Sequence, residues 1–233
     1  MMPIGDDNTG RTLTPYVNYL LIALNIFVFV YYQRFGTNID FLLSYAAVPG
    51  ELLTGADIVG TNGLGPSPAP VYTTIFTSMF MHGSIAHIFG NMLYLAIFGD
   101  NIENALGHFR YLVFYLLCGV LASLAHVLMS AVLGDGLLVP SLGASGAISG
   151  VLGAYLVLFP RNRIRIWVLL FTFRVPAIIT LGIWIVMQIV SQVNMIGGRE
   201  QSGVAYAAHI GGFLAGMLLV RLFIKKQEVS RGF

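Results

Sequence analysis

The chain contains six long apolar runs separated by shorter polar segments. A helix needs about 20 predominantly apolar residues to span the hydrocarbon core of a bilayer, and each run approaches that length. The pattern therefore predicts six transmembrane helices, over residues 16–32, 84–105, 109–133, 143–159, 176–193 and 204–224. No internal repeat divides the chain, so we expect one membrane domain over 16–224, with a short N-terminal segment at 1–15 and a short tail at 225–233.

Two segments fall outside this pattern. A long loop covers residues 33–83 and contains the helix-breaking sequence GLGPSPAP. Residues 161–176, RNRIRIWVLLFTFRVP, place arginines within an apolar stretch, which is typical of a segment lying along the membrane interface. The predicted fold class is therefore an all-α membrane protein built as a six-helix bundle.

Composition agrees with this interpretation. Hydrophobic residues make up 57% of the chain and charged residues only 9%, whereas soluble domains carry about 25% charged residues. The net charge of +2 is too small and too dispersed to indicate nucleic acid binding. The single cysteine, Cys118, has no second cysteine in the chain with which to form a disulfide.

The positive residues predict the orientation of the bundle, because cytoplasmic loops retain an excess of lysine and arginine. If the N-terminus is cytoplasmic, the outer loops hold only Arg34 and Arg199. The inner segments then hold Arg11, Arg110, Arg161, Arg163, Arg165, Arg174, Arg221, Lys225, Lys226 and Arg231. Both termini are therefore expected in the cytoplasm, and the second, fourth and sixth predicted helices begin at the outer face.

Polar side chains are concentrated at the outer ends of those three helices. His82, His87 and Asn91 precede or open the second helix, Ser145 opens the fourth, and His209 lies near the start of the sixth. Polar and ionisable side chains inside a membrane are energetically expensive, so their presence indicates a functional site. The sequence thus predicts that three distant segments deliver polar groups to one depth.

A serine and a histidine together can carry out nucleophilic catalysis. The Ser145 hydroxyl would be the nucleophile, and the neutral imidazole of His209 would be the base that takes its proton. The developing oxyanion needs hydrogen-bond donors, which the free amides at the start of the fourth helix supply, the Ser145 amide among them. His87 and Asn91 lie one helical turn apart and can add side-chain donors.

Glycines accompany these residues in a pattern that permits close helix packing. Gly146 lies beside Ser145, and Gly212 and Gly216 form a G-x-x-x-G motif in which Gly212 lies less than one turn after His209. Small residues let two membrane helices approach closely. We therefore expect the fourth and sixth helices to be in contact.

These motifs, taken together and in this order, resemble the rhomboid family of intramembrane serine proteases. They are H-x4-H-x3-N at 82–91, G-x-S-G at 143–146 and A-H-x2-G-x3-G at 208–216, with GDNIENALG at 99–107 at the inner end of the second helix. The resemblance covers nearly the whole chain. It implies a Ser–His dyad that hydrolyses peptide bonds in or next to transmembrane segments of other proteins.

The resemblance also implies a role for each motif residue. Ser145 and His209 would be catalytic, and His87, Asn91 and Ser145 would bind the oxyanion or substrate. Structural roles near the site would fall to His82, Gly143, Gly146, Ser149 and Gly212. Residues 33–83 would form a loop partly embedded in lipid, and residues 194–203 a mobile cap over the site.

The expected partners follow from the same resemblance. Substrates would be transmembrane proteins with a single span, in contact with the lipid bilayer, and no nucleic acid is expected. The short N-terminus without a transit segment favours a prokaryotic plasma membrane, with the active site toward the extracytoplasmic side.

The chain departs from the family pattern at two places. Family members often carry a Trp-Arg pair where Thr73 and Thr74 stand, and many have a tyrosine that stacks on the base histidine at the position of Ser149. Neither departure removes a reacting group. Both predict a different set of residues supporting the first loop and the imidazole of His209.

Other functions make different demands on the sequence. Zinc proteases need an H-E-x-x-H motif, which does not occur, and aspartyl proteases need two intramembrane aspartates, whereas Asp100 is the only plausible one. We therefore expect no metal and no cofactor. An inactive rhomboid-like protein that binds membrane proteins, or a small-solute transporter, remains as the alternative.

Overall fold

The computed structural model describes residues 2–197 and 203–224, and its elements are mostly helices. The helices are α1 (Tyr16–Phe27), α2 (Ile39–Tyr45), α3 (Pro49–Thr54), α4 (Thr74–Thr77), α5 (Ile85–Leu106), α6 (His108–Leu133), α7 (Ser145–Leu158), α8 (Ala177–Ile196) and α9 (Tyr206–Phe223). The strands are β1 (Met2–Gly5), β2 (Arg163–Val168) and β3 (Phe171–Pro176). The predicted tail at 225–233 and residues 198–202 of the predicted cap lie outside the described residues.

The long helices begin and end close to the predicted positions, and local signals explain where. The Ser84 side chain accepts a hydrogen bond from the His87 amide at 3.1 Å and thereby caps α5. Gly107 and Gly134 have positive φ angles of 82° and 65° and bracket α6. Helix α1 continues through residues 28–32 as a short π-helix.

The prediction of an all-α fold is wrong in one region, because the segment 161–176 contains a β-hairpin over residues 163–176. Strands β1, β2 and β3 make a three-stranded antiparallel sheet in that order. Ile164 and Ile166 are buried whereas Arg163 and Arg165 are exposed. This alternation has the period of two that a strand requires, so the apolar side chains reach the core while the arginines face outward.

Three helices in the described part of the chain are long and apolar enough to cross a membrane, namely α6, α8 and α9. Residues 16–32 and helix α7 are apolar but shorter. The protein is therefore an integral membrane protein whose fold is mostly helical.

Helix α7 lies at the centre of the molecule, and every residue from Gly146 to Tyr155 is buried. Its backbone touches that of α9. A Cβ atom added at Gly212 would overlap the carbonyl oxygen of Gly146, and one added at Gly216 would overlap the carbonyl oxygen of Gly150. The expected contact between the two helices is thus made by bare backbone, which only glycine allows.

The predicted first loop contains the short helices α2, α3 and α4. Ala47 and Ser141 exchange backbone hydrogen bonds of 2.9 and 2.8 Å, which attach this loop to the connection between α6 and α7. The carboxylate of Glu51 is buried and accepts hydrogen bonds of 3.0 Å from the Ile58 amide and the Ser67 hydroxyl. The loop is therefore an ordered part of the fold.

The N-terminal segment is attached to the opposite end of the bundle. The Asp6 carboxylate accepts hydrogen bonds from Tyr155 of α7 at 2.6 Å and from Asn101 of α5 at 2.7 Å, and Arg11 forms an ion pair with Asp100. Burial raises the pKa of Asp6 to about 6. This segment thus joins the ends of α5 and α7 that lie away from Ser145.

Candidate active site

The candidate nucleophile, Ser145, is the first residue of α7. Gly143 precedes it with a φ angle of +132°, and its amide donates to the Ser78 carbonyl oxygen at 2.9 Å. A Cβ atom at Gly143 would lie 3.0 Å from His87 Nε2. Glycine is needed here because of both the backbone conformation and the close approach of His87.

The imidazole of His209, in the first turn of α9, lies beside this serine. His209 Nε2 is 2.8 Å from Ser145 Oγ, which is hydrogen-bond distance. The glycine contacts between α7 and α9 allow this distance, since a larger residue at Gly212 would push the helices apart. The pair has the geometry of a nucleophile and its general base.

A residue that sequence reasoning missed contacts the other side of the imidazole. Gln188 of α8 places Oε1 2.8 Å from His209 Nδ1. The indole of Trp184, one turn earlier, lies with its ring centroid 6.0 Å from that of His209. The available signal was a glutamine inside an apolar run, because a buried amide in a membrane helix needs a hydrogen-bond partner.

The two predicted oxyanion donors line the same cavity. The Gly83 amide donates to His87 Nδ1 at 3.4 Å, and a backbone amide can only donate, so the ring hydrogen of His87 is on Nε2, the atom near Gly143. The Nδ2 atom of Asn91 is buried and has no hydrogen-bond partner among the described residues. Both side chains therefore have an N–H group available to a ligand.

His82 contacts the site only through its neighbours. Its backbone exchanges two hydrogen bonds of 2.9 Å with the side chain of Gln33, and its ring lies edge-on to His87 with centroids 5.1 Å apart. Neither ring nitrogen has a hydrogen-bond partner in the described part of the chain. His82 therefore packs against the ring of His87 and supports its position.

Two further predicted neighbours lie on α7. The Ser149 hydroxyl donates to the carbonyl oxygen of Ser145 at 2.6 Å, so it is satisfied within its own helix. A Cβ atom at Gly146 would lie 2.7 Å from the Cβ of Ala122 in α6, so this glycine also permits close packing.

A cavity of about 990 Å³ opens beside the serine and the histidine. Its polar lining includes His87, Asn91, Ser123, His126 and Gln192. His126 and Gln192 were not predicted to be near the site. In the described residues, no group of three or more His, Cys, Asp or Glu side chains could hold a metal ion.

A serine–histidine pair in a cavity among apolar helices defines a class of integral membrane protein with the geometry of a serine hydrolase. Comparison with known proteins then identifies the family. A family model described as the rhomboid domain matches residues 70–226, and the chain belongs to the rhomboid family.

Several curated relatives are similar to the chain. It is 35% identical over 159 residues to the mitochondrial rhomboid protein 1 of Saccharomyces cerevisiae, covering 68% of this chain and 44% of the relative. It is 29% identical over 204 residues to the rhomboid protease GluP of Bacillus subtilis, covering 87% and 34%. It is 30% identical over 202 residues to the mitochondrial presenilin-associated rhomboid-like protein of Bos taurus, covering 84% and 46%.

These relatives provide information on the length of the chain relative to its family and on its localisation. The chain spans between a third and a half of their length. The yeast and bovine relatives are named as mitochondrial, which conflicts with the predicted prokaryotic plasma membrane. The localisation that stands is that of an integral membrane protein.

Proposed function

We propose that this protein is an intramembrane serine endopeptidase that cleaves peptide bonds in or next to transmembrane segments of other membrane proteins. The observation that carries the proposal is the 2.8 Å distance between Ser145 Oγ and His209 Nε2. It is supported by the cavity beside this pair and by membership of a family that includes a named protease.

The first half of the reaction forms an acyl-enzyme. Ser145 Oγ attacks the substrate carbonyl carbon while its proton passes to His209 Nε2. The carbon–nitrogen bond of the substrate then breaks, and the imidazolium returns the proton to the leaving amine. In the second half, a water molecule in the cavity loses a proton to His209 and attacks the ester, which releases the carboxylate product and restores Ser145.

We assign oxyanion stabilisation to donors that line the cavity beside Ser145. These are the Ser145 amide at the start of α7, the Nε2–H group of His87 and the Nδ2 atom of Asn91, which has no hydrogen-bond partner among the described residues. Removal of one such donor typically lowers kcat by about 10²- to 10³-fold. The dipole of α7 adds to this effect, because its positive end is at Ser145.

We further propose a topology for the reaction. The domain at 16–224 spans the membrane six times, the segments at 1–15 and 225–233 are cytoplasmic, and the site opens toward the extracytoplasmic side. The short apolar helix α7 fits a buried central position, since its neighbours rather than lipid cover it. Substrates are single-span proteins presented from the bilayer, and the reaction uses no cofactor, metal or nucleic acid.

Serine labelling tests this function directly. A fluorophosphonate probe should label the detergent-solubilised chain, because Ser145 Oγ displaces fluoride from the phosphorus atom. Ser145→Ala and His209→Ala should each abolish labelling. Ser123→Ala, which changes a serine lining the same cavity, is the matched control and should label normally.

Peptide-bond hydrolysis needs a second measurement. The chain should be reconstituted with a panel of tagged single-span segments, and the product ends mapped by mass spectrometry. Discrete cleavage that disappears in Ser145→Ala supports the protease. If folded parent protein neither labels nor cleaves, the function is wrong, and the inactive binder or the transporter takes its place.

A further inference from the structure

Helix α8 presents one polar stripe to the active site. Trp184, Gln188 and Gln192 follow one another at intervals of four residues and therefore share one face of the helix. The only buried residues of α8 are Ala177, Leu181 and Gln192. Gln192 is therefore the one polar side chain that α8 buries, and it lies on the same face as Trp184 and Gln188.

We propose that Gln188 is a positioning residue that selects the reactive tautomer of His209. This inference rests on the proposed function. An amide oxygen can only accept a hydrogen bond, so the contact between Gln188 Oε1 and His209 Nδ1 places the ring hydrogen on Nδ1. The lone pair is then on Nε2, where it accepts the Ser145 hydroxyl proton.

The amide of Gln188 is itself oriented. Its Nε2 donates to the carbonyl oxygen of Trp184 at 3.5 Å, which turns Oε1 toward the imidazole. The opposite amide orientation would present a donor to Nδ1 and so favour the unreactive tautomer. The orientation of the amide group therefore decides which nitrogen of His209 can act as base.

Trp184 limits the rotation of the same imidazole. The two ring planes are inclined by 33° with centroids 6.0 Å apart, and Trp184 also packs against Phe213 of α9. The Ser149 hydroxyl donates to the carbonyl oxygen of Ser145 instead of contacting the imidazole by a hydrogen bond. Two side chains of α8 thus orient His209, and no residue of α7 other than Ser145 hydrogen-bonds to the imidazole in the described part of the chain.

The test replaces the acceptor while keeping the length of the side chain. We expect Gln188→Met to lower kcat by about 10- to 100-fold with little change in KM, less than the loss of about 10⁴-fold that follows a fixed wrong tautomer elsewhere. The rate of fluorophosphonate labelling should fall by the same factor, because the probe needs the base but not the peptide site. Circular dichroism and the Tm of each variant show whether it is folded.

A second variant separates positioning from packing. Gln188→Glu keeps an acceptor at Nδ1 and adds a negative charge, so it should retain most of the activity. It should also shift the acidic limb of the pH–rate profile to higher pH, because a carboxylate stabilises the imidazolium. A folded Gln188→Met that labels at the parental rate, or a Glu variant with the parental profile, would overturn this inference while leaving the protease intact. Absence of labelling in the parent would instead overturn the proposed function.

A different observation carries a second inference, about Gln192. Its side chain lines the cavity and is only 4% exposed, yet neither amide atom has a hydrogen-bond partner among the described residues. A primary amide offers both a donor and an acceptor, which match the C=O and N–H groups of an extended peptide. We infer that Gln192 hydrogen-bonds the substrate backbone in this cavity.

The prediction for Gln192 concerns KM, whereas the prediction for Gln188 concerns kcat. Gln192→Met should raise KM for a cleaved transmembrane segment by about tenfold, which corresponds to the loss of one or two neutral hydrogen bonds. It should leave labelling by a small fluorophosphonate unchanged, since that probe has no peptide backbone. An unchanged KM, or a labelling rate that falls with it, would overturn this assignment.

Discussion

Helices α7 and α9 contribute to the candidate site in one way, and the neighbouring helix α8 contributes in another. Helix α7 is buried over ten consecutive residues, and its backbone touches that of α9 through glycines. Helix α8 buries only three residues and leaves most of its large apolar side chains exposed on the surface of the protein. The first two helices carry Ser145 and His209, whereas α8 carries the side chains that orient the imidazole.

This difference separates two requirements of the chemistry. The distance between the proposed nucleophile, Ser145, and the proposed base, His209, is maintained by close backbone contacts between α7 and α9, because packed interiors resist small changes. The orientation of the base depends on side chains of a loosely packed helix. A displacement of α8 would therefore change the tautomer and rotation of His209 before it changed the position of Ser145.

The largest expected effect comes from breaking the contact between α7 and α9. Gly216→Val places two methyl groups against the Gly150 carbonyl, where only backbone could move. We expect fluorophosphonate labelling to fall by at least about 100-fold and the Tm to drop, because overpacking of this kind costs about 1–3 kcal/mol or more.

Helix α8 offers the matched control for this change. A Cβ atom at Gly182 meets no atom within 4 Å, so Gly182→Ala should leave labelling unchanged and raise the Tm slightly through its better helix propensity. Equal losses of labelling and Tm in Gly216→Val and Gly182→Ala would contradict the proposed difference between the α7–α9 contact and helix α8.

A smaller effect is expected at the far end of α7, where Asp6 binds Tyr155. Because burial raises the pKa of Asp6 to about 6 from 3.8, the folded state favours the protonated acid. The stabilisation is fully present below about pH 4 and is lost as the pH rises through about 6. Asp6→Asn stays neutral at every pH and keeps an acceptor for Tyr155.

Hydrogen exchange of the β1 amides measures this effect. At pH 7 we expect exchange in Asp6→Asn to be up to about 100-fold slower than in the parent, because the pKa is raised by about two units and each unit corresponds to about a tenfold change in the equilibrium. At pH 4 the two proteins should agree. Faster exchange in the variant at pH 7 would show that the charged carboxylate stabilises the contact.

The smallest effect is expected from Ser149→Ala on α7. The change removes one hydrogen bond to the Ser145 carbonyl, so we expect a loss in kcat of less than about tenfold. If orientation of His209 depends on α8, this loss must be smaller than that of Gln188→Met. The reverse order, measured with the same substrate, would assign the orientation to α7.

Most of the helical framework could be predicted from the sequence. The apolar runs at 109–133 and 143–159 correspond to α6 and α7 within a few residues, because lipid and core demand long uninterrupted apolar segments. The hairpin at 163–176 was missed even though its alternation of arginine and isoleucine was visible, because an amphipathic segment beside a membrane is also typical of a helix.

The candidate site, like the fold, was predicted only in part from the sequence. Ser145 and His209 were found by motif, and the structure brings them to hydrogen-bond distance. Gln188 was missed because a single glutamine in an apolar run has no motif of its own. Only the packing of α8 against α9 makes its oxygen the partner of Nδ1.

The amino-acid sequence by itself indicated that the chain enters a membrane, where its long helices run, and which side chains are candidates for the proposed chemistry. Each of these depends on local composition and spacing, which can be read along one segment. The tertiary structure alone decided the close contact of α7 and α9, the pairing of β1 with β2, and the partner of each nitrogen of His209. These depend on contacts between residues distant in sequence, which form only when the helices pack.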